Sequence, residues 1–267
     1  MRTIRGYTHL ISLLGLSLAY SANAWAEASD KLWPALKESF FAGKTIEPAS
    51  FIKLEGPRRA ESGAQVPITL TIDKKVGDKD AIKKVYVIVD ANPIPLAVIY
   101  HFTEMSGKPQ LSTRIRMETD SYIHAIGETE DGRLFMTDIV IRAAGGCGGL
   151  VDGDDTAIRA AAGKIKMNVE PAPQAGEPAV ASFHIKHPMF TGLQRDLVSG
   201  GYKPAFFIQK VVFTHNQKTV MEADFAVGVS EDPYLRFTYL PDGPGTLEVK
   251  ADDNEGKSFS QAAEVKS

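Results

Sequence analysis

Cysteine is almost absent from this sequence, because Cys147 is the only one among 267 residues. A single thiol cannot cross-link its own chain, so an internal disulfide framework is excluded. Such a thiol is either buried and inert, paired with another molecule, or kept for its reactivity. A zinc site built on it is disfavoured, because partner ligands at zinc-like spacing are missing.

The sequence also lacks long apolar runs and an excess of positive charge. No stretch after the N-terminus approaches the roughly 18 apolar residues that a membrane-spanning helix needs, so we expect no membrane span in the mature protein. Thirty basic residues face 33 acidic ones, a formal net charge of −3, which disfavours nucleic acid as a partner. A nucleophile elbow, a phosphate loop and a paired-carboxylate motif are missing too, so the sequence indicates neither an enzyme nor a cofactor.

The N-terminus has the pattern of a secretory signal peptide. Arg2 and Arg5 precede an apolar run of 11 residues (10–20), and small residues follow in SANAWA (21–26). This run is too short to span a bilayer and suits a signal-peptide core. We predict a signal peptide over residues 1–26, general secretion and a periplasmic location. Removal of residues 1–26, which contain no acidic residue, would change the formal charge to −5.

Alternating apolar residues predict an all-β fold. Between residues 51 and 143, six or seven short runs recur at about ten-residue spacing with turn residues between them, which is typical of an antiparallel β-sandwich. His101 and His124 lie in these runs, and we interpret them as half-buried structural residues. A second series begins after residue 163, with a hairpin at residues 215–217, and predicts a second sandwich.

Two short helices complete the prediction. Residues 29–44 are amphipathic up to Gly43, and an Ala-rich segment that ends at Gly163 has Asp154 or Asp155 as its cap. We therefore divide the chain into a signal peptide (1–26), a first sandwich (27–143), a Gly-rich arm with a linker helix (144–162) and a second sandwich (163–267).

Four glycines surround the single cysteine. Gly145, Gly146, Gly148 and Gly149 flank Cys147 on both sides. Glycine widens the accessible backbone angles and raises the entropy cost of ordering, so we predict a mobile segment and a solvent-accessible, reactive thiol. With an ordinary pKa near 8.5, about a few per cent of such a thiol is ionised at neutral pH. That fraction suits a carrier activated by a partner enzyme.

The other candidate sites are weaker. His184 and His187 lie three residues apart, so on a strand their side chains point to opposite faces and shared metal ligation is disfavoured. Met189 in HPM invites a copper interpretation, but we prefer a loop that packs against the other half. DGDD (152–155) resembles part of a calcium loop without its spaced ligands and final glutamate, and we interpret it as a solvated turn and helix cap.

These motifs resemble a known pair of proteins. GGCGG closing a strand-rich domain, NPIPLAVIYHF (92–102) and the segment from Ser112 to Gly149 resemble the SoxY subunit of the SoxYZ sulfur-carrier complex. The second half resembles SoxZ through HPMFTGLQRD (187–196) and DNEGKSFSQAAEV (253–265). The fused arrangement is similar to the SoxYZ-like carriers that are associated with quinoprotein dehydrogenases.

The resemblance implies two immunoglobulin-like antiparallel β-sandwich domains and a carrier without catalytic activity. In the family, a cysteine on a swinging arm holds the sulfur substrate covalently and presents it to successive periplasmic enzymes. That role falls on Cys147 as a small covalent adduct, with Gly145, Gly146, Gly148 and Gly149 as the arm. The implied partners are periplasmic enzymes of sulfur or alcohol oxidation, including a quinoprotein dehydrogenase or a cytochrome c system.

The sequence departs from the SoxY pattern in one respect: the chain continues beyond GGCGG. An arm fixed at both ends, from Ala144 to about Asp154, can project Cys147 by about 17 Å, at roughly 3.4 Å per residue. The cargo stays open, because the quinoprotein association differs from sulfur oxidation. Two alternatives also stay open: a thiol-redox accessory protein that forms mixed disulfides during maturation, and a binding or scaffold module with an incidental cysteine.

Overall fold

The described residues fold into a nine-stranded sheet, a six-stranded sheet, a two-stranded parallel sheet formed by residues 150–151 and 195–196, and two short α-helices. The structure is a computed structural model that describes residues 28–148, 150–151, 155–170, 172, 176–197 and 199–265. The predicted signal peptide and Gly149 therefore lie outside the described residues. No helix in the described part is long and apolar enough to cross a membrane.

The strands of the first half lie between residues 46 and 141: β1 (Ile46–Pro48), β2 (Ile52–Glu55), β3 (Val66–Ile72), β4 (Ile82–Val89), β5 (Leu96–Phe102), β6 (Gln110–Ile115), β7 (Ser121–Thr129) and β8 (Leu134–Ile141). The strands of the second half follow: β9 (Leu150–Val151), β10 (Ile165–Glu170), β11 (Ala179–Ile185), β12 (Arg195–Asp196), β13 (Ile208–His215), β14 (Lys218–Phe225), β15 (Tyr234–Tyr239), β16 (Gly245–Asp253) and β17 (Ser258–Val265). The helices are α1 (Trp33–Phe41), after a 3-10 turn at Asp30–Leu32, and α2 (Asp155–Ala161).

Side-chain alternation forms these strands. In β3 and β11 every second residue is buried, so one face of each strand lies in the core. The predicted hairpin joins β13 to β14 through Asn216 and Gln217, both with positive φ, as a two-residue hairpin turn requires.

Both helices lie where the sequence predicted them. α1 ends before Gly43, whose φ of +68° ends the helix in a left-handed turn. α2 ends before Gly163, where a Cβ would lie 2.1 Å from the Phe259 ring, so only glycine fits. Of the two predicted caps of α2, Asp154 lies outside the described residues.

The two larger sheets each continue from one half of the chain into the other. The larger sheet has the order β1-β8-β7-β4-β5-β14-β13-β16-β17, and the smaller has the order β10-β11-β15-β6-β3-β2. In the larger sheet β5 pairs antiparallel with β14, and in the smaller sheet β6 pairs antiparallel with β15. We call β5, β6, β14 and β15 the junction strands.

The predicted all-β, immunoglobulin-like fold is confirmed, and the junction strands add what the sequence did not predict. In two separate sandwiches the four junction strands would be exposed edges with unpaired backbone N–H and C=O groups. Pairing β5 with β14 and β6 with β15 gives these backbone groups hydrogen-bond partners. One hydrophobic cluster accordingly runs through both halves, and includes Tyr100 of the first half and Phe213 of the second. A smaller cluster around Phe41 packs α1 against the outer face of the larger sheet.

Candidate functional site

Cys147 is buried at the interface between the two halves of the chain. Its residue exposure is 5%, so the prediction of a solvent-accessible thiol is wrong for this conformation. The chain leaves β8 at Ile141 and folds back against the segment that follows β6. We call residues 145–149 the arm.

Backbone hydrogen bonds fix the first part of the arm. Gly145 N donates to Glu118 O at 2.8 Å, and Gly146 N donates to Met117 O at 3.0 Å. Met117 N donates in turn to Gly63 O at 2.7 Å. In this structure the arm therefore extends a local backbone ladder instead of projecting freely into solvent.

Two of the glycines have a specific geometric role in this position. Gly145 has a φ of +71°, in the left-handed region that favours glycine. A Cβ on Gly146 would lie 2.1 Å from Gly63 O, so the two backbones approach too closely for any side chain. A Cβ on Gly148 would meet nothing within 4 Å, so close packing does not explain that glycine.

The Glu118 carboxylate binds the peptide groups around the thiol. Its Oε2 accepts hydrogen bonds from Cys147 N at 2.8 Å and from Gly148 N at 3.3 Å. Asn92 orients this segment, because Asn92 Oδ1 accepts from Glu118 N at 2.9 Å and Asn92 Nδ2 donates to Arg116 O at 2.8 Å. A negative charge is thereby held beside the cysteine.

Arg116 connects the arm to the second half of the chain. Its guanidinium is buried, and Nη1 donates to Gly146 O at 3.1 Å. Nη2 donates to Pro188 O at 3.3 Å and Met189 O at 3.2 Å, and Nε donates to Val229 O at 3.4 Å. Burial lowers the pKa of Arg116, while the negative charge of Glu231 and that of an ionised Cys147 oppose this effect.

The HPMFTG segment (187–192) forms the other side of the site. Thr191 Oγ1 donates to Cys147 O at 2.9 Å, and Gln194 Oε1 accepts from Thr191 N at 2.9 Å. Met189 is fully buried and its carbonyl receives Arg116, so the interpretation of this segment as a loop that packs against the other half is confirmed. The three side chains Arg116, Glu118 and Thr191 are the arm-binding residues.

The electrostatics of the site suppress ionisation of the thiol. Burial, and next the negative charge of Glu118, raise the pKa of Cys147 to about 11, although the positive charge of Arg116 acts in the opposite direction. Because the thiolate is the nucleophile, a thiol in this position stays protonated and unreactive at neutral pH.

His184 and His187 do not share a site. β11 ends at Ile185, which separates His184 on the strand from the buried His187 beyond it. His187 Nδ1 accepts a hydrogen bond from Met189 N at 3.2 Å, and burial lowers the pKa of His187 to about 4, so it is neutral. Among the described residues, no three His, Cys, Asp or Glu side chains lie close enough to hold a metal ion.

The structure places His101 and His124 in different environments. His101 is half-buried as predicted, and its Nε2 lies 2.7 Å from Asp224 Oδ2. His124 is buried at 4% exposure, contrary to the prediction of half-burial. Its Nε2 lies 3.1 Å from Asp90 Oδ2, and its ring stacks on Trp33 of α1 at 3.9 Å between centroids. The stacked indole explains the additional burial.

Sequence reasoning did not identify the arm-binding residues. Arg116 and Glu118 lie in a segment, TRIRMETD, in which polar and apolar residues simply alternate. Thr191 lies in the HPMFTG motif, which pointed to the family but not to a contact with Cys147. No single-sequence signal connects these positions, because Arg116 and Glu118 lie 30 and 29 residues, and Thr191 lies 44 residues, from the arm groups that they bind.

Two family models match the chain in tandem. The one described as sulfur oxidation protein SoxY matches residues 37–147 and ends at the cysteine. The one described as sulphur oxidation protein SoxZ matches residues 166–264. A search of curated proteins returned no match.

Solved structures resemble the chain only weakly. The sulfur carrier protein SoxY from Chlorobium limicola f thiosulfatophilum is 19% identical with a TM-score of 0.35, and the match covers 42% of this chain and 92% of that one. A beta-glycosidase from Bacteroides vulgatus is 10% identical with a TM-score of 0.24, and the match covers 80% of this chain and 24% of that one.

The two family matches, in this order and on one all-β body, define a sulfur carrier protein. The chain belongs to the fused SoxYZ-like carriers, with the SoxY half first and the SoxZ half second.

Proposed function

We propose that Cys147 is the position that holds the cargo, as a reversible S-linked adduct on an arm formed by Gly145, Gly146, Gly148 and Gly149. The supporting observation is that both family halves bind this one residue. Glu118 of the SoxY half accepts from Cys147 N, and Thr191 of the SoxZ half donates to Cys147 O. A carrier residue that both the SoxY half and the SoxZ half bind has to lie where the two halves meet.

Burial alone would also fit an inert cysteine, but the surroundings of Cys147 favour the carrier. Of the two hydrophobic clusters in the described part of the chain, neither includes Cys147. The arm is held by hydrogen bonds to its peptide groups, and such bonds exchange with water at a net cost of only about 1 kcal/mol each. The arm can therefore leave without unfolding the core.

Loading of the carrier is a thiol exchange. The released Cys147 thiol gives its proton to solvent, and its sulfur attacks a cargo sulfur atom that carries a leaving group. A sulfur–sulfur bond forms while the bond to the leaving group breaks, and the leaving group takes the electron pair. The cargo sulfur supplies the oxidising equivalents, so no further oxidant is needed and the protein itself catalyses no net reaction.

The location and partners belong to the same proposal. Residues 1–26 act as a signal peptide and direct the carrier to the periplasm. Its partners there are enzymes of sulfur or alcohol oxidation, including a quinoprotein dehydrogenase or a cytochrome c system. Sequencing the N-terminus of protein isolated from the periplasm tests the location, and a start at Glu27 is expected.

Intact mass spectrometry of the protein isolated from its own cells tests the function. A discrete low-mass adduct that disappears with reductant, and is missing from Cys147→Ser, is expected. A protein-sized mixed disulfide would instead indicate a thiol-redox accessory protein. An unmodified thiol together with a harmless Cys147→Ser substitution in cells would indicate a scaffold module and overturn the proposal.

A further inference from the structure

The arm-binding residues occupy both halves of the chain and contact the arm on two sides. Arg116 and Glu118 follow β6 in the SoxY half, and Thr191 lies in the SoxZ half. Together they bind four consecutive groups of the arm backbone: Gly146 O, Cys147 N, Cys147 O and Gly148 N. None of these contacts depends on the cysteine side chain.

This pattern separates recognition of the arm from the chemistry of the thiol. A residue that took part in the covalent step would bind the sulfur, whereas the hydrogen bonds from these residues to the arm go to its peptide groups. Their effect on the sulfur is indirect, through its burial and through the carboxylate charge beside it. A thiolate formed here would be both desolvated and next to a negative charge, two unfavourable effects.

We infer that Arg116, Glu118 and Thr191 are positioning residues that hold Cys147 in an unreactive position until a partner protein takes up the arm. This inference rests on the proposed function and assigns a means of protection to the same thiol. It also defines the chemistry of the partner surface. A site that takes up the arm must offer an acceptor to Cys147 N and Gly148 N and donors to the two carbonyls, in place of the bonds that are lost.

The rate of alkylation of Cys147 by iodoacetamide measures the protection directly. The purified full-length mature protein should react more slowly at pH 8 than the same protein unfolded in guanidinium chloride. A fall in thiol pKa from about 11 to the ordinary 9.0 would raise the ionised fraction at pH 8 by about a hundredfold. Easier access of iodoacetamide to the sulfur would increase the rate further.

Two substitutions separate the contributions of charge and position. Glu118→Gln keeps an oxygen that can accept from the two N–H groups but removes the charge, so it should increase the rate and shift the pH midpoint of alkylation downward. Thr191→Val removes the hydroxyl at nearly constant shape, so it should increase the rate. Thr191→Ser keeps the hydroxyl and should react as slowly as the unchanged protein. Glu55→Gln, at an exposed position on β2, is the matched control for loss of one carboxylate.

The inference would be overturned if the folded protein reacted as fast as the unfolded one, or if Glu118→Gln and Thr191→Val left the rate and the pH midpoint unchanged. Circular dichroism shows whether each variant is folded. If Glu118→Gln or Thr191→Val does not fold, the remaining variant is compared with Thr191→Ser and with the unchanged protein. The measurement uses no cargo. An alkylation result that contradicts the inference therefore does not contradict the proposed carrier function. Likewise, the absence of an adduct in cells does not contradict the measured protection of the thiol.

Discussion

The two halves of the chain are joined by two kinds of contact that differ in their strength. The junction strands pair five residues of β14 with β5 and three residues of β15 with β6, and the hydrophobic cluster lies between the sheets. The arm contact consists of hydrogen bonds from three polar side chains and a short backbone ladder. The first kind buries apolar surface between the halves, whereas the second is exchanged for contacts with a partner in the function that we propose.

The difference shows how one chain combines a rigid body with a releasable group. A ladder backed by buried side chains resists opening, because breaking it exposes apolar surface to water. The hydrogen bonds of the arm can be replaced by hydrogen bonds to water or to a partner at a net cost of only about 1 kcal/mol each. Four substitutions or conditions test this contrast, and they are ordered by the expected size of the effect.

Removal of a buried ring at the junction should have the largest effect. Tyr100 is fully buried on β5 and pairs with Ala223 of β14. Tyr100→Ala leaves a cavity between the halves and should lower the free energy of unfolding by about 3–5 kcal/mol. Chemical denaturation followed by circular dichroism measures it, and one shared transition is expected for both halves.

Tyr202→Ala serves as its control, because Tyr202 is 62% exposed, and a change within about 0.5 kcal/mol is expected for it. Two separate transitions in the unchanged protein would show that the halves unfold independently, which would contradict the continuous core.

Alkaline pH should reduce stability through the buried thiol. The pKa of Cys147 is raised to about 11 from an ordinary 9.0, so the folded state keeps a proton that the unfolded state releases. This stabilisation is complete below pH 9 and is lost as the pH rises through 11, by about 2–3 kcal/mol in total. Denaturation at several pH values measures it.

Cys147→Ala isolates this effect, because every other group titrates in both proteins. The difference between the unchanged protein and Cys147→Ala should decrease from pH 9 to pH 11. A constant difference over that range would mean that the thiol titrates normally and that the arm does not bury it.

A methyl group on the arm should distinguish close packing from flexibility. Gly146→Ala places a Cβ against Gly63 O, so it should displace the arm, expose Cys147 to alkylation and cost about 1–3 kcal/mol. Gly148→Ala meets open space and should change neither quantity appreciably. Equal effects of the two substitutions would argue that the glycines serve mobility alone.

The hydrogen bond between His101 and Asp224 across the junction should contribute least. His101 of β5 and Asp224 of β14 are 2.7 Å apart, but both side chains are partly exposed. Asp224→Asn should lower the free energy of unfolding by less than about 1 kcal/mol. A loss as large as that from Tyr100→Ala would mean that charge, and not burial, joins the halves.

Much of the fold could be predicted from local patterns. Alternation along β3 and β11, the turn residues Asn216 and Gln217, and the helix-ending Gly43 act over a few residues, so a sequence displays them. The pairing of β5 with β14 could not be predicted, because it depends on which strand edges remain free after each half has folded.

The site was predicted only in part, for a related reason. Cys147 is conspicuous because it is unique, and its glycines are conspicuous because they are clustered. The sequence does not reveal that Gly146 is required for contact with Gly63, about 80 positions earlier. A sequence does not distinguish a glycine that allows close packing from a glycine that allows backbone flexibility. For this reason the thiol was predicted to be exposed, whereas it is buried.

The parallel pairing of β9 with β12 has a consequence for any enzyme that receives the arm. Leu150 pairs with Arg195, only three residues after Cys147, so while this pairing persists the short limb of the arm reaches about 10 Å. The thiol then enters the partner enzyme at the tip of a bent loop, and the chain segments before and after Cys147 lie side by side. A receiving channel must be wide enough for two neighbouring backbones, which in sheets lie about 4.8 Å apart, and its reactive group must lie near the mouth.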